Sequence, residues 1–157
     1  MENKKNAMTL LLATILATFV LSGCTGADMA PVPTPEPTQA ESTHDNAEIF
    51  GQQKSSIERT EASAVVLKQI SGTGPSTIPV DSLPEGYTEL GWTVACTGAG
   101  EWKAAVVQTE PAWSQGACSL EPFRSARHSV GEPTNDHSVE IKVEEDAQIW
   151  VTLFATK

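Results

Sequence analysis

Tyr87-Thr88-Glu89-Leu90-Gly91-Trp92-Thr93-Val94-Ala95-Cys96 alternates in character along its length. Leu90, Trp92, Val94 and Cys96 form one set, and Glu89, Gly91, Thr93 and Ala95 the other. Successive side chains of an extended chain point to opposite faces, so this period of two predicts a β-strand with the first set turned inward. Thr97-Gly98-Ala99-Gly100 follows, with glycines that accept positive φ. Trp102 to Gln108 is then expected as the return strand of a hairpin.

Further β-type runs lie on either side. Ala64 to Ile70 and Thr77 to Val80 are short β-type runs, ended by Gly72-Thr73-Gly74-Pro75 and Pro84-Glu85-Gly86. Ala112 to Leu120 and Arg124 to Val130 supply two more. Ser138 to Glu144 turns Val139, Ile141 and Val143 inward and Glu140, Lys142 and Glu144 outward. Gln148 to Ala155 has Ile149, Val151 and Leu153 on one face and Trp150, Thr152 and Phe154 on the other, the pattern of a strand covered on both sides. Seven or eight short strands separated by turn residues predict an all-β fold, a small single-domain antiparallel β-sandwich over residues 62–157. No convincing helix is expected. Ile49, Phe50 and Ile57 fall on one side of a helical turn pattern in Glu48 to Glu61, but Gly51 and polar neighbours interrupt it.

The start of the chain has a different character. Lys4 and Lys5 precede an uncharged run from Ala7 to Leu21, which leads into Leu21-Ser22-Gly23-Cys24. A basic start, a short apolar stretch and small residues at a cut are the layout of a secretory signal. The run is shorter than the ~20 residues a membrane-spanning helix needs. Leu21 to Cys24 resembles the lipobox of bacterial lipoproteins. That resemblance implies a signal peptide over residues 1–23, diacylation of the Cys24 sulfur, and a mature chain held by lipid on the outer, extracytoplasmic face of the cell membrane. A plain secreted protein cut after Ala17 or Gly23 is the competing reading. Residues 24–61 follow as a lipidated N-terminus and flexible linker, because Pro31, Pro33, Pro35 and Pro37 favour extended polyproline geometry over packing.

The chain carries 10 basic and 20 acidic side chains, a formal net charge of −10. Loss of residues 1–23 removes Glu2, Lys4 and Lys5 and makes the balance more acidic still. Nucleic acid and anionic lipid headgroups both need clustered basic residues, so neither is an expected partner. The acidic residues are scattered, as on a solvated surface. With Cys24 assigned to lipid, Cys96 and Cys118 remain, and an extracytoplasmic compartment permits them to pair. Closing such a loop contributes about 3 kcal/mol in the chain-entropy model. A metal pair or reactive thiols are the alternatives, although no further cysteine or near histidine completes a zinc set.

Cys96-Thr97-Gly98-Ala99-Gly100-Glu101-Trp102 is similar to a stretch found in a group of small lipoproteins of actinobacteria. In these, a lipobox and a low-complexity stalk precede a β domain with a Cys-x-Gly-x-Gly turn and a later second cysteine. Gly72-Thr73-Gly74 and the closing Gln148-Ile149-Trp150-Val151 match that layout too. The resemblance runs from about Val65 to Lys157. It implies location, one disulfide and a sandwich, and it carries over no catalytic or ligand-binding residue.

No motif for catalysis emerges, and no catalytic residue, metal or cofactor is assigned. Gly98-Ala99-Gly100 lacks the third glycine and the following helix of a dinucleotide fingerprint. Neither a Gly-x-Ser-x-Gly elbow nor a Ser-x-x-Lys pattern occurs. His44 falls in the linker, while His128 and His137 are the remaining imidazoles. His137 and Glu140, three apart on a strand, point to opposite faces. Calcium held through Glu132 and Asp136 would lack a spaced loop motif. Glu144-Glu145-Asp146 reads as a solvated turn. Among the four tryptophans, Trp92 belongs to the core, Trp102 and Trp150 lie on strands with two partly apolar faces, and Trp113 beside Pro111 is the candidate surface aromatic for ligand binding. The expected function is a non-enzymatic binding or interaction module of the cell envelope, whose partner is a protein, peptide or glycan. A structural accessory subunit of an envelope or transporter complex and a small hydrolase are the alternatives.

Overall fold

The last strand has almost no water-facing side: every residue from Ile149 to Thr156 is buried. In the computed structural model, which describes residues 44–110, 112–121 and 124–157, this strand lies between two others in one sheet. The expected signal peptide, the Cys24 lipidation site and most of the linker lie outside the described residues. The elements are α1 (Asn46–Thr60), β1 (Val65–Thr73), β2 (Ser76–Val80), β3 (Glu89–Cys96), β4 (Glu101–Val106), β5 (Ala112–Ala117), β6 (Ser125–Ser129), β7 (His137–Lys142) and β8 (Gln148–Thr156). The strands form two antiparallel sheets, a first in the order β1-β8-β3-β6 and a second in the order β2-β7-β4-β5. Each of the eight β-type runs in the sequence contains a strand, and the fold is an all-β sandwich with one helix.

The core lies between the sheets. Leu90, Trp92, Val94 and Cys96 of β3 and Ile149, Val151 and Leu153 of β8 meet Trp102, Ala104, Val106, Val139 and Ile141 from the second sheet. Full burial of one such large side chain contributes about 1.5–3 kcal/mol, so these two layers hold the fold together. Cys96 and Cys118 form a disulfide with Cα atoms 4.8 Å apart. Because Cys96 ends β3 and Cys118 follows β5, this bond ties one sheet to the other.

The hairpin expected from Tyr87 to Gln108 does not form. Both edges of β3 are taken, by β8 and β6, which leaves none for β4. β4 pairs instead with β5 and β7, so Thr97 to Gly100 carries the chain from the first sheet to the second. The crossing is held where Thr97 N–H donates to Gln148 O at 3.0 Å and Cys118 N–H donates to Gly100 O at 2.8 Å. Gly98 takes the left-handed conformation this bend needs, with φ of 94°.

The linker expected to reach Glu61 is corrected over residues 46–60, which are helical. Asp45 caps the helix, its carboxylate accepting from Ala47 N–H at 2.8 Å. Glu48 in the first turn and Arg59 in the last complement the helix dipole, and Lys54 pairs with Glu58 one turn on. Ile49, Gln53, Ser56 and Ile57 make the buried stripe. Ile49 packs with Ala95 of β3 and Trp150 of β8, on the side of the first sheet that faces away from the core. Gln53 donates to Trp150 O at 3.0 Å and accepts from Thr152 Oγ1 at 2.6 Å, while Trp150 Nε1 donates to Asn46 Oδ1 at 2.6 Å. The outer side of the first sheet is therefore roofed by the chain's own helix, which explains why Trp150 and Thr152 are dry.

Candidate functional site

The second sheet has no such roof among the described residues. β4 turns Trp102, Ala104 and Val106 into the core and presents Lys103 and Ala105 outward. β5 alternates in step, with Trp113, Gln115 and Ala117 outward. The register sets Trp113 opposite Ala105, Ala105 opposite Glu140 of β7, and Glu140 opposite Thr77 of β2. One row thus crosses the whole sheet as Trp113, Ala105, Glu140, Thr77. The row beside it reads Gln115, Lys103, Lys142.

Trp113 is the only one of the four tryptophans that faces water, at 47% exposed, against 0% for Trp92, 7% for Trp102 and 1% for Trp150. The ammonium of Lys103 sits 4.4 Å from the centroid of its indole, a cation–π contact that steadies the ring. Ala105 on the other side is small, so the indole stands above its neighbour in the row. The arrangement is an exposed indole with an ammonium over one ring face, in a row with an alanine, a carboxylate and a hydroxyl and beside an amide. Such a surface can stack a flat apolar face and hydrogen-bond to the polar groups at that face's edge.

The remaining sequence candidates fall elsewhere. His128 enters the sandwich from β6, beside Trp92. Trp92 Nε1 donates to Ser114 Oγ of β5 at 2.7 Å, a polar tie between the sheets. Glu132, Asp136 and His137 line a cleft at one end of the sandwich. Among the described residues, no three His, Cys, Asp or Glu side chains are grouped to hold a metal ion. No helix among them is long and apolar enough to cross a membrane. Sequence reasoning picks out Trp113 but not Ala105, Glu140 or Thr77 around it. Their outward side is readable from alternation; their adjacency depends on the register of four strands.

No protein-family model matches the chain, and no curated protein matches it. Among solved structures it is similar to TmCBM61, determined in complex with beta-1,4-galactotriose, with a TM-score of 0.35 and 13% identity over 59% of this chain and 68% of that one. A likeness of that extent carries no argument about this chain's ligand.

Proposed function

We propose that the mature chain is a non-enzymatic, lipid-anchored module on the outer face of the cell membrane, and that it binds a glycan of the cell envelope through the unroofed face of the second sheet. The N-terminal order of lysines, apolar run and Leu21-Ser22-Gly23-Cys24 supports the address, and the Cys96–Cys118 disulfide suits an oxidising compartment. The observation that carries the ligand class is Trp113 itself. It stands exposed on the second sheet, while on the opposite face of the sandwich α1 covers the central strands β3 and β8. A sugar ring offers apolar C–H groups to an indole and hydroxyls to Lys103, Gln115, Glu140 and Thr77. The open floor suits a chain of sugars lying across it better than a small enclosed molecule.

The test uses the full-length lipidated protein in detergent, mixed with insoluble wall polysaccharide of the producing cell and sedimented. Trp113→Ala is expected to bind at least about tenfold more weakly, since an aromatic anchor at a contact centre commonly carries about 2 kcal/mol or more. Its folding stability is expected to change by no more than about 0.5 kcal/mol, as for other exposed positions. Equal sedimentation of the two proteins, or none by either, sinks the reading.

A further inference from the structure

On one side of the sandwich the sheets end in the edge strands β5 and β6, which lie against each other. Large side chains there would seal the core. Instead the inward positions of β5 are Ala112, Ser114 and Gly116, and β6 adds Ala126 opposite Trp92. These small residues leave a cleft of about 580 Å³ between the edges, which runs in to Val94 and Trp102. One end of it is fastened. Cys118, next along the chain from lining residue Ala117, is bonded to Cys96, whose N–H donates to Ser119 O at 3.3 Å. The opening is therefore preformed, as ligand sites usually are.

The indole of Trp102 points to what the cleft holds. A buried tryptophan N–H ordinarily finds an acceptor. Trp92 Nε1 donates to Ser114 Oγ at 2.7 Å, and Trp150 Nε1 donates to Asn46 Oδ1 at 2.6 Å. Trp102 is only 7% exposed, yet no described residue accepts from its Nε1. Unlike Ser125 Oγ, another lining group, which is sealed from solvent, the Trp102 nitrogen keeps its opening to the cleft. Gly116 faces Trp102 in the register, and a Cβ there would stand 3.1 Å from that nitrogen. The glycine thus keeps the approach to the N–H clear. Left dry, such a donor costs about 1–3 kcal/mol, so whatever fills the cleft must bring an acceptor.

Further donors border the same space. Ser114 Oγ accepts from Trp92 and still has its own proton to give. The Arg124 guanidinium lines the cleft in an exposed position, and no described carboxylate pairs with it. Glu121 is the only carboxylate among the described lining residues. Val94, Ala126 and the Trp102 ring make the floor apolar. We propose that this cleft binds a small carboxylate with a compact apolar body, whose oxygens accept from Trp102 Nε1–H, Ser114 Oγ–H and the Arg124 guanidinium. The site opens at the edge of the sandwich, away from the face bearing Trp113, and does not depend on the glycan reading.

The experiment follows the tryptophan indole N–H signals of the full-length protein in detergent by NMR at neutral pH. Trp102→Phe identifies the Trp102 signal by its loss. Benzoate is the probe, with acetate (the charge without the ring) and benzylamine (the ring with the opposite charge) as controls. Benzoate is expected to move the Trp102 signal saturably, and neither control to do so. Gly116→Ala sets a methyl group against the Trp102 nitrogen and is expected to weaken benzoate about tenfold or more, the loss of one hydrogen bond to a charged acceptor. Arg124→Gln, at an exposed position, is expected to weaken it about threefold, and Glu121→Gln to leave it as tight or tighter. An unchanged Trp150 signal confirms that each variant is folded. The proposal is overturned by the absence of a saturable shift, which leaves water as the partner of Trp102, and by saturation with acetate or benzylamine. Undiminished binding in Gly116→Ala or Arg124→Gln, or equal weakening by Arg124→Gln and Glu121→Gln, overturns it as well.

Discussion

His128 stacks against Trp92, with ring centroids 5.0 Å apart and planes inclined by 27°. The pairing follows from register, because Leu90 faces His128 and Trp92 faces Ala126 across β3 and β6. Leu90 points into the core, so its partner does too, and an edge strand delivers an imidazole between the sheets. Burial pushes the His128 pKa below the ordinary imidazole value, while Glu89, itself paired with Arg127 at 3.6 Å, pulls it upward less strongly.

A histidine held neutral by the fold takes up its proton more readily once the chain unfolds. Stability from this source is complete above the unfolded imidazole value of about 6.5 and declines as the pH falls from there toward the lower folded value. Urea midpoints read by tryptophan fluorescence are expected to be lower at about pH 5.5 than at about pH 7.5. His128→Phe, which keeps a ring against Trp92, is expected to remove most of that difference. The same pH dependence in the variant would clear His128 of the effect.

The disulfide closes a loop of sequence separation 22 and joins the two sheets. For a loop of that length the chain-entropy model gives about 3 kcal/mol. Cys96→Ala combined with Cys118→Ala is expected to lose about that much in urea unfolding while keeping the sandwich, since β3 and β5 remain paired in their own sheets. A loss below about 1 kcal/mol would mean that the unfolded chain is already constrained in this region.

Gly91 lies under the ring of Phe154. A Cβ at Gly91 would come within 2.3, 2.5 and 2.8 Å of three ring atoms, far inside contact distance. Gly91→Ala is expected to cost about 1–3 kcal/mol through overpacking. Phe154→Leu in the same chain is expected to recover part of that loss, because the two side chains compete for one space. Strictly additive losses in the double-mutant cycle would refute the steric account.

The strands are legible before any partner is known, because alternation marks which side of a strand is buried. Leu90, Trp92, Val94 and Cys96, and Val139 and Ile141, all lie where period two places them. Alternation says nothing about which strand lies beside which. Thr97 to Gly100 suits a hairpin and a crossover equally well, and only β6 and β8, later in the chain, exclude the hairpin by filling both edges of β3. The helix is hidden for another reason. Gln53 sits in the buried stripe between Ile49 and Ile57 and breaks its apolar pattern, yet its amide is satisfied by Trp150 O and Thr152 Oγ1, so burial leaves nothing unpaired. The outward row of the second sheet shares this dependence on distant pairing. Trp113 and Thr77 end up in one row only once four strands have settled their register.

Asp45 and Asn46 form the N-terminal end of α1, so a mechanical pull applied there acts on the first turn of the helix. The clasp between Asn46 and Trp150 takes that force before any strand does. Under tension the helix peels off turn by turn, one local contact at a time, whereas dragging out β8 would mean shearing two ladders at once. The helix is then a fuse: it yields first and spares the eight-stranded body that carries Trp113.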